Sequence, residues 1–127
     1  MISTKGRYAL RVLIDLAEQD STTYVPLKEI AKRQGISEKY LQQIVKILVG
    51  KGLLTGISGK GGGYRLTASP EEYNVGEILE LMEGSLTPVA CLAPDTNTCS
   101  RSSHCKTLPM WKKFDNLVHD YFFHITI

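Results

Sequence analysis

Apolar positions recur at helical spacing in five stretches of the chain and alternate in one, and that pattern predicts most of the architecture. In the first stretch Ala9, Leu10, Leu13, Ile14, Leu16 and Ala17 form one face. Thr4 is placed to cap this helix, which ends near Glu18 before the polar run 19–23. Pro26 opens a second, short helix, Leu27 to Arg33, with Leu27, Ile30 and Ala31 inward and Gly35 as its stop. Ser37 caps a third, Glu38 to Val49, in which Leu41, Ile44, Val45 and Leu48 share a face and Lys39, Tyr40, Gln42, Gln43 and Lys46 lie largely on others. Two short helices joined by a Gly-containing turn predict a helix-turn-helix.

The pattern then changes period. Gly50-Lys51-Gly52 ends the third helix, and Leu53 to Ile57 alternates as a strand should. Gly59-Lys60-Gly61-Gly62-Gly63 makes a turn, and Tyr64-Arg65-Leu66 returns, which gives a two-stranded wing. No Gly-Lys-Ser/Thr follows the glycines and no hydrophobic parallel strand precedes them, so a nucleotide-binding P-loop is excluded. A further helical stretch starts from Ser69-Pro70-Glu71-Glu72 and Val75, carries Val75, Ile78, Leu79 and Met82 as its stripe, and breaks at Gly84. Beyond Pro109 the residues Met110, Trp111, Phe114, Leu117, Val118, Tyr121, Phe122 and Ile125 extend a broad aromatic stripe at helical spacing. A domain this small offers such a stripe little core, so the last helix reads as a dimerisation element that also packs on the first. The expected fold class is mostly α with a small β-wing, a winged helix-turn-helix with a long C-terminal dimerisation helix. The expected division is a DNA-binding domain at 1–84, a cysteine-containing loop at 85–106 and the dimerisation helix at 107–127.

Composition narrows the function. The chain has 127 residues, 43% of them hydrophobic, which suits one modest core. No apolar run reaches the roughly 18 residues a membrane span requires, and the first residues lack an apolar signal core, so a soluble cytoplasmic protein with no membrane partner is expected. The net charge of +2 conceals an asymmetry: residues 1–66 carry 11 Lys and Arg against 5 Asp and Glu, and residues 67–127 carry 4 against 8. The basic half is a surface for a polyanion or simply a solvated face. The helix-turn-helix favours the polyanion, because the N-terminal part of a recognition helix meets base edges. Ser37, Glu38, Lys39, Tyr40, Gln42 and Gln43 are therefore the candidate reading residues. Lys60 can meet a phosphate, while Gly61 and Gly62 allow the wing backbone a close approach.

Cys91, Cys99 and Cys105 fall together in one polar segment. Three cysteines cannot all pair within one chain, and a reducing compartment disfavours disulfides. Soft thiolates suit zinc or an iron-sulfur cluster, but gaps of seven and five residues differ from the Cys-x2-Cys pairs of structural zinc sites. From spacing alone cluster, zinc and incidental thiols all remain open. No Ser/His/Asp set, paired carboxylates or cofactor fingerprint points to an enzyme.

Four blocks carry a resemblance: Ser3-Thr4-Lys5-Gly6-Arg7-Tyr8-Ala9-Leu10, the run 30–41 from Ile30 to Leu41, Gly61-Gly62-Gly63-Tyr64-Arg65-Leu66, and Val75-Gly76-Glu77-Ile78. In this order, with the cysteine segment after them, they resemble the winged-helix regulator family that includes IscR, NsrR, RirA and CymR. The resemblance covers essentially the whole chain. It implies a homodimeric repressor of a double-stranded DNA operator that senses iron, oxygen or nitric oxide. It also implies an iron-sulfur cluster, 2Fe-2S or 4Fe-4S, held by Cys91, Cys99 and Cys105. It matches Ser37, Tyr40 and Gln42 to positions facing DNA, with Gln42 where IscR has glutamate and Ser58 where relatives often carry arginine. The fourth-ligand histidine of IscR matches Leu108, which leaves the neighbouring His104 as the substitute. The alternative within the family is a CymR-like regulator controlled by thiol, zinc or a partner protein.

Overall fold

The computed structural model describes residues 2–86 and 106–127. Helices α1 (Thr4–Ala17), α2 (Leu27–Gln34) and α3 (Glu38–Gly50) are followed by strands β1 (Leu54–Ile57) and β2 (Gly63–Leu66), then by a single 3₁₀ turn at Pro70–Glu72, α4 (Val75–Glu83) and α5 (Leu108–Phe122). The strands pair antiparallel, Leu54 opposite Leu66 and Ile57 opposite Gly63. Val25 extends this ribbon: its N–H donates to the Tyr64 carbonyl at 2.9 Å, and the Tyr64 N–H donates back at 2.8 Å. The winged helix-turn-helix expected from the sequence is the fold observed.

One core sits between the helix-turn-helix and α4. Val12, Leu13, Ile30, Leu41, Ile44, Leu48 and Ile78 are almost fully enclosed, and α1 crosses the centre, packing on α2, α3, β2 and most extensively on α4. Truncating such a leucine to alanine costs about 2–5 kcal/mol, so this cluster fixes the angle at which α3 is presented. Gly35 closes α2 in the left-handed region, φ 65°, where a side chain would be strained. Gly63, φ 153°, lies so close to the Val25–Pro26 backbone that a Cβ there would overlap it.

Several expectations change. Ser3, not Thr4, caps α1: its hydroxyl accepts from the Lys5 N–H at 3.2 Å, while its own N–H and hydroxyl donate to Glu83. The stretch from Ser69 is not continuous with α4. Tyr73 is extended and 3% exposed, with its hydroxyl donating to the Leu53 carbonyl at 2.7 Å and accepting from Thr67 N–H at 2.9 Å. That insertion breaks the helix, and Asn74 starts a new one by accepting from the Glu77 N–H at 3.0 Å. Leu53 precedes the ladder, which starts at Leu54.

The last helix also ends earlier than its stripe predicts. Ile125 lies in an extended tail: its carbonyl accepts from Val75 N–H at 2.9 Å, and the Ile127 N–H donates to the Tyr73 carbonyl at 3.1 Å. Helix α5 packs chiefly on α4. Val118 joins Val75, Leu79 and Leu86 in a second apolar cluster, and α1 contributes only Leu10 at its margin.

Candidate nucleic-acid interface

The reading face begins with how α3 is anchored. Ser37 caps the helix by accepting from the Tyr40 N–H at 3.3 Å. Glu38, Lys39, Gln42 and Gln43 are exposed along the first two turns, and Tyr40 is half-buried. The ring of Tyr40 meets Tyr8 of α1 edge to face, centroids 5.6 Å apart, and its hydroxyl lies 3.3 Å from the Thr4 hydroxyl. Tyr40 is thus held by α1 rather than free to swing, a constraint invisible in the sequence around it.

Five of the six candidate residues at the start of α3 divide between two grooves, and Glu38 lines neither. Ser37, Lys39, Tyr40 and Gln43 line one of about 440 Å³ with Tyr8, Gly35 and Ile36. Gln42 lines another of about 580 Å³ between α3 and the wing, with Lys46, Val49, Ile57, Ser58 and Tyr64. Lys60 and Gly61 are exposed at the wing tip, which is closed by the Gly62 N–H donating to the Gly59 carbonyl at 3.0 Å. Lys28 and Lys32 of α2 and Lys39 and Lys46 of α3 are also exposed, so the helix-turn-helix meets solvent with ammonium groups that can contact phosphates. Arg65 is not among these free cations, because its guanidinium stacks over the Tyr24 ring at 4.5 Å.

A buried polar network locks α2 onto α1. Asp15 is 2% exposed; Arg33 donates to both its oxygens, at 2.7 and 3.0 Å, and the Gln34 amide donates to it at 2.9 Å. Arg11 in turn donates to the side chain and carbonyl of Gln34 and lies over the Tyr8 ring. Burial works to raise the Asp15 pKa, but the bonds from Arg33 and Gln34 outweigh it and hold the carboxyl below its ordinary value. At the other end of α1, burial also opposes ionisation of Glu83, and bonds from Ser3 and the Gly6 N–H reverse the balance. Sequence reasoning missed Asp15, Arg11 and Tyr8. An aspartate inside the apolar face of α1 was the one available signal.

Cys91, Cys99, Cys105 and His104 lie outside the described residues. Among the described residues no three His, Cys, Asp or Glu side chains are grouped to hold a metal ion. No described helix is long and apolar enough to cross a membrane.

Residues 2–127 match the Rrf2 family, described as an iron-dependent transcriptional regulator. The chain belongs to the Rrf2 family. Among its relatives, IscR of Vibrio campbellii is 32% identical over 126 residues, covering 99% of this chain and 74% of that protein. The protein Rrf2 of Nitratidesulfovibrio vulgaris is 36% identical over 110 residues, covering 87% of this chain and 73% of its own length. Among solved structures, the global cysteine regulator CymR of B. subtilis superposes with a TM-score of 0.79 at 34% identity, covering 99% and 92% of the two chains. IscR of T. potens gives 0.75 at 33% identity, covering 99% and 82%. This Rrf2 chain is accordingly a transcriptional regulator of the DNA-binding, IscR-like kind, and its relatives are regulators rather than enzymes.

Proposed function

We propose that this Rrf2 chain is a homodimeric repressor that reads double-stranded DNA with α3 and the wing and adjusts its affinity through an iron-sulfur cluster held by Cys91, Cys99 and Cys105. The observation that carries the reading is where the cysteines fall in the chain. They lie in the chain between α4, which closes the core, and α5, which exposes Met110, Phe114, Leu117 and Tyr121. Three thiols within one segment are the donor set that iron in a cluster favours, and His104 is the candidate fourth ligand. The division into a reader at 1–84, a sensor loop at 85–106 and a dimerisation helix at 107–127 belongs to the same proposal.

Dimerisation is supported by α5 itself. Met110, Phe114, Leu117 and Tyr121 are 54%, 41%, 57% and 65% exposed and follow one another at intervals of four, three and four residues. That is the heptad seam of a two-helix contact, and a second copy of the same helix supplies its complement. In such a dimer two copies of α3 meet half-sites about one DNA turn apart. Gln42 and Gln43 offer amides to adenine edges, while Lys39, Tyr40 and Lys60 serve phosphates. The cluster, when bound, would supply a charge and an oxidation-sensitive bond set in the segment that precedes the dimer helix in the chain. This chain's own residues hold α3 to α1 through Tyr8 and Tyr40, and α2 to α1 through the Asp15 network, so a shift of one protomer moves its helix-turn-helix as a unit. Iron supply, oxygen or nitric oxide is the proposed signal.

The test is iron and acid-labile sulfide analysis with visible absorbance on protein purified without oxygen, beside a Cys91, Cys99 and Cys105 triple substitution to serine. The proposal expects colour with stoichiometric iron and sulfide in the wild type, lost in the variant. A second reading, thiol-based control without a cluster, draws on the likeness to CymR. It expects colourless protein even after reconstitution, with DNA binding that responds to oxidants.

A further inference from the structure

Four polar side chains of α1, Thr4, Tyr8, Arg11 and Asp15, follow one another at intervals of four, three and four residues and so share one face of the helix. Each meets the helix-turn-helix. Asp15 accepts from Arg33 and Gln34 of α2, while Thr4 and Tyr8 meet Tyr40 of α3. Arg11 stands between these two contacts and joins them. Its Nε donates to the Gln34 side-chain oxygen at 3.0 Å, a second guanidinium nitrogen donates to the Gln34 carbonyl, and the guanidinium carbon lies 5.4 Å from the centre of the Tyr8 ring. Gln34 is the last residue of α2, and only residues 35–37 separate it from α3.

A guanidinium bound to that carbonyl fixes the end of α2, and with it the start of the turn that leads to the Ser37 cap. The Tyr8 ring under Arg11 meets Tyr40 at 86°, in the first turn of α3. The start of the recognition helix is thus held at its entry and at Tyr40, and Arg11 acts on both. We infer that Arg11 is a positioning residue for sequence discrimination: without touching DNA, it sets the rotation of the first turn of α3 and hence the aim of Lys39, Tyr40 and Gln43. The inference rests on α3 being the reading helix and goes beyond it, because the choice of sequence then depends on a residue of α1. Hydrogen bonds to base edges are directional, whereas attraction between ammonium groups and phosphates tolerates a small rotation. Loss of Arg11 therefore spares non-specific binding and lowers the preference for the right sequence.

The experiment compares the full-length wild type with Arg11→Met and Arg11→Lys on two duplexes, one selected by the wild type from a randomised pool and one of scrambled sequence, each titrated with salt. One well-placed base contact discriminates by about fivefold or more. Both variants are expected to lower the ratio of the two affinities by about that factor and to leave the salt slope on the scrambled duplex unchanged. Lysine keeps the charge but neither the planar fork that holds Gln34 nor the stacking on Tyr8. Melting curves fix the folded fraction, and Arg11→Lys carries the test if Arg11→Met fails to fold. Recovery of the ratio in Arg11→Lys, or a salt slope lowered by about one in Arg11→Met, would mark Arg11 as a phosphate contact and overturn the inference. An unchanged ratio beside a lowered melting temperature would overturn it as well, leaving Arg11 a role in stability alone. In those cases the wild-type preference for the selected duplex stands, and only this inference fails; a wild type that binds neither duplex overturns the reading beneath it too.

Discussion

Asp15 ties α2 to α1 from within the apolar face of α1. It is enclosed and ionised because Arg33 and Gln34 satisfy it, and removing one partner of such a pair leaves the other charge or dipole uncompensated. Asp15→Ala is expected to lower stability by about 3 kcal/mol, measured by urea unfolding, and to weaken DNA binding further than stability alone explains. A change below about 1 kcal/mol would show the network to be ornamental. The pH dependence follows from the same groups. Both Asp15 and Glu83 titrate lower in the folded chain than ordinary carboxylates do. Their stabilisation is therefore complete above the ordinary carboxylate range and drains away as pH falls through that range and below it. Urea midpoints measured from pH 7 to 3 should be flat and then decline, and Asp15→Asn should flatten the decline. Gly63 presents a different constraint: Gly63→Ala sets a methyl against the Val25–Pro26 backbone at a φ that L-residues rarely adopt. The expected result is a loss of about 2 kcal/mol or more and a wing protected less from hydrogen exchange.

At the scale of elements, the helices that bury one regular face were legible in the sequence, and those interrupted by a single inward polar contact were not. Helices α1, α2 and α3 were placed to within a residue or two, because Leu13, Ile30, Leu41 and Leu48 repeat at the period the core demands. The break before α4 escaped notice because it depends on the Tyr73 hydroxyl reaching the Leu53 carbonyl, a partner twenty residues away. The sequence points to Thr4 rather than Ser3 as the cap for a similar reason, since Glu83 holds Ser3 from the far end of α4. Ile125 kept the helical rhythm yet pairs as backbone with Val75; hydrophobic spacing does not register main-chain bonds. The reading residues of α3 were legible by type and position, but their division between two grooves depends on where Tyr8 and the wing lie. For α5, the exposed seam gives a direct prediction. Leu117→Arg places a charge at its centre, 57% exposed in the single chain, and should convert a dimer to a monomer in sedimentation without loss of helicity. A variant that sediments as the wild type does would remove α5 from the interface.

For the molecule as a whole, the helices on either side of the cysteine segment in the chain connect it to the basic reader. Residues 1–66 carry the positive excess and residues 67–127 the negative one, so the reading face and the proposed sensing segment fall in halves of opposite charge. Helix α4 is the shared part: it packs on α1 on one side and on α5 on the other. In the proposed mechanism a change that moves α5 reaches α1, and from there α3 through Tyr8 and α2 through the Asp15 network. Coupling of this kind is a free energy between sites and has a typical size, about 5- to 150-fold in affinity. The decisive measurement is the affinity of the selected duplex for the cluster-loaded protein and for the same preparation after the cluster is removed without oxygen, each taken between about 50 and 200 mM salt. Binding is expected to weaken steeply with salt in the tighter state and to differ at least fivefold between the two; equal affinity with and without the cluster would contradict cluster-controlled DNA reading.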